Sequence, residues 1–185
     1  MLDISFNPFP VLSSGRITLR KITNNDAARL FEFRSDREVM KYIDRPLATS
    51  MDDAYAFLKK IDDSLETSDG ISWAIALEGD PQMIGTMGLW RFEKENHRAE
   101  IGYMLSPAYH RKGIMQEAFY LVIDYGFNVL GLHTIEAKIN PGNQASKSLL
   151  EKNGFIREGY FKENFFFNGN FLDTAVYTLF RPVQP

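Results

Sequence analysis

The chain contains no cysteine. Disulfide frameworks, thiolate nucleophiles and Cys-based zinc sites are therefore all excluded. Histidine is scarce too: His97, His110 and His133 sit on different predicted elements with no metal-ligand spacing, and no metal site is expected. A large excess of one sign of charge is absent. Lysine and arginine number 21 against 24 acidic residues, a net charge of −3. No global basic field recruits nucleic acid, so any anion site must be local. No window approaches the ~18–20 apolar residues of a membrane span. The start, MLDISFNPFPVLSSGR, lacks the basic segment and apolar run of a secretory signal. These absences lead to a cytoplasmic protein as the expectation. Internal repeats, low-complexity tracts and Gly/Ser linkers are also missing. One domain over residues 1–185 is expected, with 1–15 as an extended lead-in.

What is present suits a folded domain. Apolar residues make up 44% and charged residues 24%, and 185 residues suffice for one full core. RITLRKI (16–22) alternates as a strand. Residues 23–43 carry capping residues and helical spacing at Ala27, Leu30, Phe31 and Arg34. A second helix spans about residues 51–65, with Ala54, Phe57, Leu58 and Ile61 on one face. The period then changes. Residues 72–77, 83–92 and 98–105 read as three strands joined by short turns, hence antiparallel. In the third, Ala99, Ile101, Tyr103 and Leu105 share one face; Glu100, Gly102 and Met104 share the other. A helix follows, with an apolar stripe at Met115, Ala118, Phe119, Val122, Ile123 and Phe127. Strand 133–139 then pairs in parallel with strand 98–105, because a helix connects them. NQASKSLLEKNGF is a further helix, with Asn143 at its N-cap and Gly154 as the left-handed residue past its end. Asn168-Gly169 marks a closing hairpin. The fold class is α+β, a mixed sheet with helices on both faces.

The stretch SPAYHRKGIMQEAF (106–119) places Arg111, Lys112 and Gly113 where a helix begins. A helix N-terminus offers free amides and partial positive charge to an anion. Glycine lets the backbone turn tightly and approach a ligand. The same three residues also suit a plain solvated turn. The sequence lacks the G-K-[ST] ending of a P-loop and the three glycines of a dinucleotide fingerprint.

RAEIGYMLSPAYHRKGIMQEAF and NPGNQASKSLLEKNGFIREG together resemble the GNAT N-acetyltransferase superfamily, specifically its ribosomal-protein alanine/serine N-acetyltransferase (RimJ/RimL-type) branch. The resemblance runs from about Arg16 to Leu179. It implies a mixed, mostly antiparallel sheet of about seven strands and acetyl-CoA as co-substrate. The family's cofactor pattern, [QR]-x-x-G-x-[GA], is met here by His110-Arg111-Lys112-Gly113-Ile114-Met115. The central glycine is kept; the first and last positions depart. Arg111 to Met115 would hold the pyrophosphate. Tyr103, Met104 and Leu105 would offer backbone to the pantetheine arm. Asn143 would contact the arm, cap its helix, or do both.

Acetyl transfer needs a neutral amine, a polarised carbonyl and a proton for the departing thiolate. The resemblance makes Glu100 the base; as a residue alone it is equally a sheet ion-pair partner. Glu163 and Asp173 are lesser candidates, and Asp173 reads as a hydrogen-bonded structural carboxylate. Many superfamily members carry a tyrosine acid where this chain has Leu150. Ser146, three residues after Asn143, is the branch's substitute; a water is the alternative. The acceptor is an amine: a protein N-terminus, or a small molecule such as a polyamine, amino acid or aminoglycoside. A non-catalytic module that binds coenzyme A is the reading from another class. The aromatic stretch FKENFFFNGNF (161–171) is either packed on both faces, or a substrate wall or homodimer surface.

Overall fold

A computed structural model describes residues 1–182; the last three residues of the predicted domain lie outside the described residues. The strands are β1 (Leu12–Ser13), β2 (Ile17–Lys21), β3 (Gly70–Leu77), β4 (Asp80–Glu93), β5 (Arg98–Leu105), β6 (Thr134–Ile139), β7 (Ile156–Phe167) and β8 (Asn170–Phe180). The helices are α1 (Ala27–Ser35), α2 (Arg37–Met40), α3 (Met51–Glu66), α4 (Ile114–Asp124) and α5 (Gln144–Lys152). All eight strands form one sheet, in the order β1-β2-β3-β4-β5-β6-β8-β7. Among the described residues only β5 and β6 pair in parallel, as the helical connection predicts.

The strand count exceeds the expected seven by one. The addition is β1, a two-residue piece of the lead-in that pairs with β2. The lead-in is held in place rather than loose: Ile4 and Phe6 are buried, and the Trp73 indole donates to the Pro10 carbonyl at 2.7 Å. The single helix expected over 23–43 is broken. Asp36 adopts extended backbone and caps α2 by accepting from the Glu38 amide at 2.7 Å. The buried face of α1 is Ala27, Leu30 and Phe33, so Phe33 takes the place that the stripe gave to Phe31.

Alternation along the strands divides the core in two. Ile71, Trp73, Met87, Leu89, Ala99 and Ile101 join α4 and α5 in the main cluster on one face. Ala74 and Met83 join α1 and α3 on the other, with Met104 packed against them. Helices thus cover both faces, as the two-sided apolar pattern requires. Part of the entry to α1 is a half-buried ion pair: both Asp26 oxygens accept from Arg20, at 2.7 and 2.9 Å. Asp26 also closes a capping box with Thr23.

The closing hairpin turns at Asn168 and Gly169, both in the left-handed region at φ 51° and 81°. Its consecutive phenylalanines do point both ways. Phe165 stacks with Phe167, whereas Phe166 packs against Phe171.

Candidate active site

The parallel pairing of β5 with β6 is short. It covers Arg98, Ala99 and Glu100 against Thr134, Ile135 and Glu136, and then stops. Both strands continue, β5 to Leu105 and β6 to Ile139. β5 stays paired with β4 as far as Leu105, so its other edge is unpaired beyond Glu100. A cavity of about 690 Å³ occupies this opening. Glu100, Tyr103, Lys138, Asn143, Ser146 and Asp173 all contribute to its walls.

Glu100 lies on the face covered by α1 and α3. It is one of two carboxylates in register across the end of the pairing, the other being the buried Glu136. Glu100 accepts from Trp90 Nε1 at 3.3 Å, Arg91 at 2.8 Å and Lys138 at 3.3 Å. A carboxylate offers roughly four acceptor positions, so room for one further donor remains. Lys138 also reaches Glu136 at 2.8 Å, and Arg98 bonds Glu136. Burial by itself would lower the Lys138 pKa, but its hydrogen bond to Glu136 and the nearby Glu100 charge raise it. The ion-pair reading of Glu100 is thus realised, and the residue faces the cavity as well. Gly102 makes this geometry possible. A Cβ there would lie 2.1 Å from a Trp90 ring carbon, so only glycine lets the indole lie against β5 and reach Glu100.

Ser146 approaches from the opposite face. The Asn143 side chain accepts from the Ser146 amide at 3.0 Å, the predicted N-cap of α5. The Ser146 side chain is buried and hydrogen-bonded to the Tyr103 hydroxyl. Burial raises the Tyr103 pKa to about 12, with the Ser146 bond pulling the other way. A phenol with that pKa stays protonated at neutral pH. Ser146 is its one hydrogen-bond partner among the described residues; each hydroxyl can donate or accept, and with Tyr103 donating the serine proton is free to turn toward the cavity. Leu150 is fully buried in the core and presents nothing to the cavity. Asp173 accepts from Tyr160 and, at 2.7 Å, from the Glu163 amide. Those bonds hold its carboxyl below the usual range, Tyr160 contributing most. This is the structural role expected of Asp173, and the Glu163 side chain is exposed.

The basic turn forms as its glycine suggests. Arg111 and Gly113 both take left-handed backbone, at φ 60° and 77°, and Gly113 caps α4. The first bond of the helical ladder runs from the Glu117 amide to the Gly113 carbonyl at 3.1 Å. The amides of Ile114, Met115 and Gln116 therefore precede the ladder. The Arg111 and Lys112 side chains are exposed, whereas Ile114 is buried and Met115 packs on the core. His110, at a departing motif position, has a role the sequence did not reveal. Its Nε2 lies 3.0 Å from the Leu105 carbonyl. A carbonyl can only accept, so Nε2 carries the proton. This bond folds the loop back on β5 and occupies the Leu105 carbonyl.

The unpaired edge of β5, the left-handed Gly113 and the free amides beyond it fit an extended thioester with a diphosphate end. Among the described residues there is no cluster of potential metal ligands, and no helix is long and apolar enough to cross a membrane. Trp90, Arg91, Glu136 and Lys138 were not foreseen. Their roles depend on which strand lies beside which, and on Trp90 lying over a glycine, which periodicity does not report.

Comparison with known proteins agrees with this geometry. A model of the acetyltransferase (GNAT) domain matches residues 16–156. The chain is 35% identical over 174 residues to YoaA of Bacillus subtilis (strain 168), an uncharacterized N-acetyltransferase, covering 94% of this chain and 98% of YoaA. It is 28% identical over 167 residues to YdaF of the same organism, a putative ribosomal N-acetyltransferase, covering 89% and 91%. It is 26% identical over 170 residues to the spermidine N(1)-acetyltransferase of Escherichia coli (strain K12), covering 91% and 88%. The crystal structure of a GNAT-family acetyltransferase from Bacillus anthracis superposes with a TM-score of 0.82 at 29% identity, over 92% of this chain and 98% of that one. The matched span runs from the residue before β2 to the first residue of β7, and it contains the strand opening, the α4 turn and the Asn143–Ser146 cap. The chain belongs to the GNAT acetyltransferase family and is an N-acetyltransferase.

Proposed function

We propose that the chain moves the acetyl group of acetyl-CoA to a primary amine, and that the favoured acceptor is a protein N-terminal α-amine. The observation that carries this reading is the parting of β5 from β6 after Glu100, which joins the two faces of the sheet through one cavity. The co-substrate enters from the α4 and α5 side. Its diphosphate meets Arg111, Lys112, Gly113 and the amides of Ile114 and Met115, and its arm runs along Tyr103, Met104 and Leu105 past Asn143. Acetyl-CoA supplies a thioester carbonyl and a thiolate leaving group, so that a C–N bond forms as C–S breaks.

The protein's residues manage the protons. Glu100 takes one from the incoming ammonium, directly or through one water, using its remaining acceptor position. Ser146 passes one to the sulfur, and its own proton is replaced, through water, by the second proton that the amine nitrogen sheds as it becomes an amide. Tyr103 is a positioning residue: by donating to Ser146 Oγ it aims the serine proton into the cavity. Glu100 already accepts from three donors and has one acceptor position left for the incoming amine. An α-amine of pKa ~8 gives up its proton more readily than an alkylammonium of pKa ~10.4, and this favours the N-terminal acceptor over a polyamine.

The test incubates the protein with acetyl-CoA and an amine panel and follows free thiol. The protein has no cysteine, so it is silent in that assay. Thiol release should be faster with short peptides than with spermidine. Acetyl-CoA binding with no thiol release from any amine would favour the non-catalytic module. No binding at all would overturn the whole reading.

A further inference from the structure

The acceptor end of the cavity holds charges that the chemistry above does not use. Arg34, in α1, and Arg45, in the segment after α2, both line it. They lie on the α1 and α3 side of the sheet, opposite the α4 turn. Neither forms an ion pair among the described residues. Each instead sits over an aromatic ring of the wall. Arg34 lies 4.1 Å from the Phe57 centroid and Arg45 lies 5.9 Å from the Phe165 centroid. Arg45 also donates to the backbone carbonyl of Asp44 at 2.9 Å; the Arg34 side chain makes no hydrogen bond within the described residues. Burial lowers the Arg34 pKa, and the like charge of Arg45 lowers it further, against a weaker pull from Asp53.

The carboxylates nearby do not answer this charge. Glu100 is engaged by Trp90, Arg91 and Lys138, and Asp173 by Tyr160 and the Glu163 amide. Asp44 lines the same wall, but burial pushes its carboxyl pKa up, against Arg45, and it pairs with neither guanidinium. Asp53 acts on Arg34 from the start of α3, but its carboxylate is bonded by Thr49 and Ser50 and forms no ion pair with either guanidinium. Two guanidiniums held near each other in a partly buried wall repel unless an anion joins them. A planar carboxylate matches the guanidinium fork, and an aromatic rest holds that fork in place.

Resting on the acetyl-transfer reading, we propose that Arg34 and Arg45 bind a carboxylate on the acceptor, so that the substrate is an amine bearing an acidic group rather than a polyamine. A polyamine would bring further positive charge to a wall that already carries two guanidiniums. Either a free acidic amino acid or the acidic N-terminal segment of a peptide supplies this chemistry.

The experiment compares matched acceptors: aspartate and glutamate, C-terminally amidated tripeptides with an acidic second or third residue, the same tripeptides with the amide isostere, and spermidine. Thiol release gives kcat/KM, and calorimetry on the coenzyme A-bound protein gives acceptor affinity independently of turnover. Acidic acceptors should exceed their amide isosteres about tenfold or more in both measurements. In Arg34→Gln and in Arg45→Gln that ratio should fall toward one through acceptor affinity and KM. Arg34→Lys, which keeps charge and stem, should retain part of it. The peptide and free amino acid arms separate the two sources. Spermidine or the amide isosteres binding as well as the acids would overturn the proposal. So would a preference that survives in both glutamine variants. Lost coenzyme A affinity in those variants would reassign the arginines to the cofactor and also overturn it. Acid-selective binding without thiol release would uphold the site while sinking the acetyl-transfer reading.

Discussion

Tyr103→Phe removes one oxygen from the wall of the cavity, and its effect on stability should depend on pH in a calculable way. At pH 8 the variant loses the bond from Tyr103 to Ser146. The Ser146 hydroxyl can still turn toward the cavity, so the loss is that of one net hydrogen bond, about 1 kcal/mol. At higher pH the balance shifts. The folded phenol is pushed to about 12, from the ordinary 10.0 of the unfolded chain. A raised folded pKa stabilises the protein fully below the unfolded value, and the stabilisation is lost as pH rises through the folded value. At about pH 11 the unfolded tyrosine is mostly ionised and the folded one mostly is not, which costs the wild type about 1.4 kcal/mol. The phenylalanine variant has nothing to ionise there. The two proteins should therefore differ by about 1 kcal/mol at neutral pH and be nearly equal close to pH 11. Urea unfolding followed by far-UV circular dichroism, at steps from pH 8 to 11.5, measures this. Other tyrosines and lysines titrate in both proteins and cancel in the difference. A stability difference that stays constant across that range would refute the burial of the Tyr103 phenol beside Ser146.

Other perturbations test the rest of the site. Glu100→Gln should lower kcat by at least about tenfold with little change in coenzyme A affinity, measured by thiol release and calorimetry; a wild-type rate would remove Glu100 as base. Gly113→Asp should weaken coenzyme A binding about tenfold or more by placing a carboxylate at the α4 N-terminus. Its melting temperature should shift only a few degrees, because aspartate is among the residues that tolerate the left-handed backbone of Gly113. Gly102→Ala should cost about 1–3 kcal/mol and lower kcat, since the added methyl collides with the Trp90 indole that contacts Glu100; thermal unfolding and turnover read it together. Asp26→Asn should cost about 3 kcal/mol by breaking the pair with Arg20 at the start of α1. Burial opposes the Asp26 charge, but Arg20 and Thr23 bond it strongly enough to hold its pKa low, so this stabilisation is present at neutral pH and lost on acidification.

The strands and helices were legible wherever one local pattern dominated. Alternation in residues 98–105 assigned Glu100 and Tyr103 to opposite faces, and the structure keeps them there. Asn143 and Gly113 were found because caps and left-handed turns demand particular residues whatever surrounds them. Local patterns failed at α1, where Asp36 interrupts a stripe that periodicity would carry through to residue 43. They also could not see the two-residue β1, whose existence depends wholly on β2.

By itself the sequence determined the α+β class, the parallel connection through α4 and the tight basic turn at Gly113, because each follows from the local pattern of residues. Only the tertiary structure decided what the opening contains. Glu100 gains Trp90, Arg91 and Lys138 from neighbouring strands, Ser146 gains the Tyr103 phenol across the core, and Arg34 and Arg45 meet at one wall. These partners lie from nine to 43 residues apart in the chain. Whether a carboxylate, a hydroxyl or a guanidinium finds a partner is a matter of distance in space, and no period along the chain encodes it.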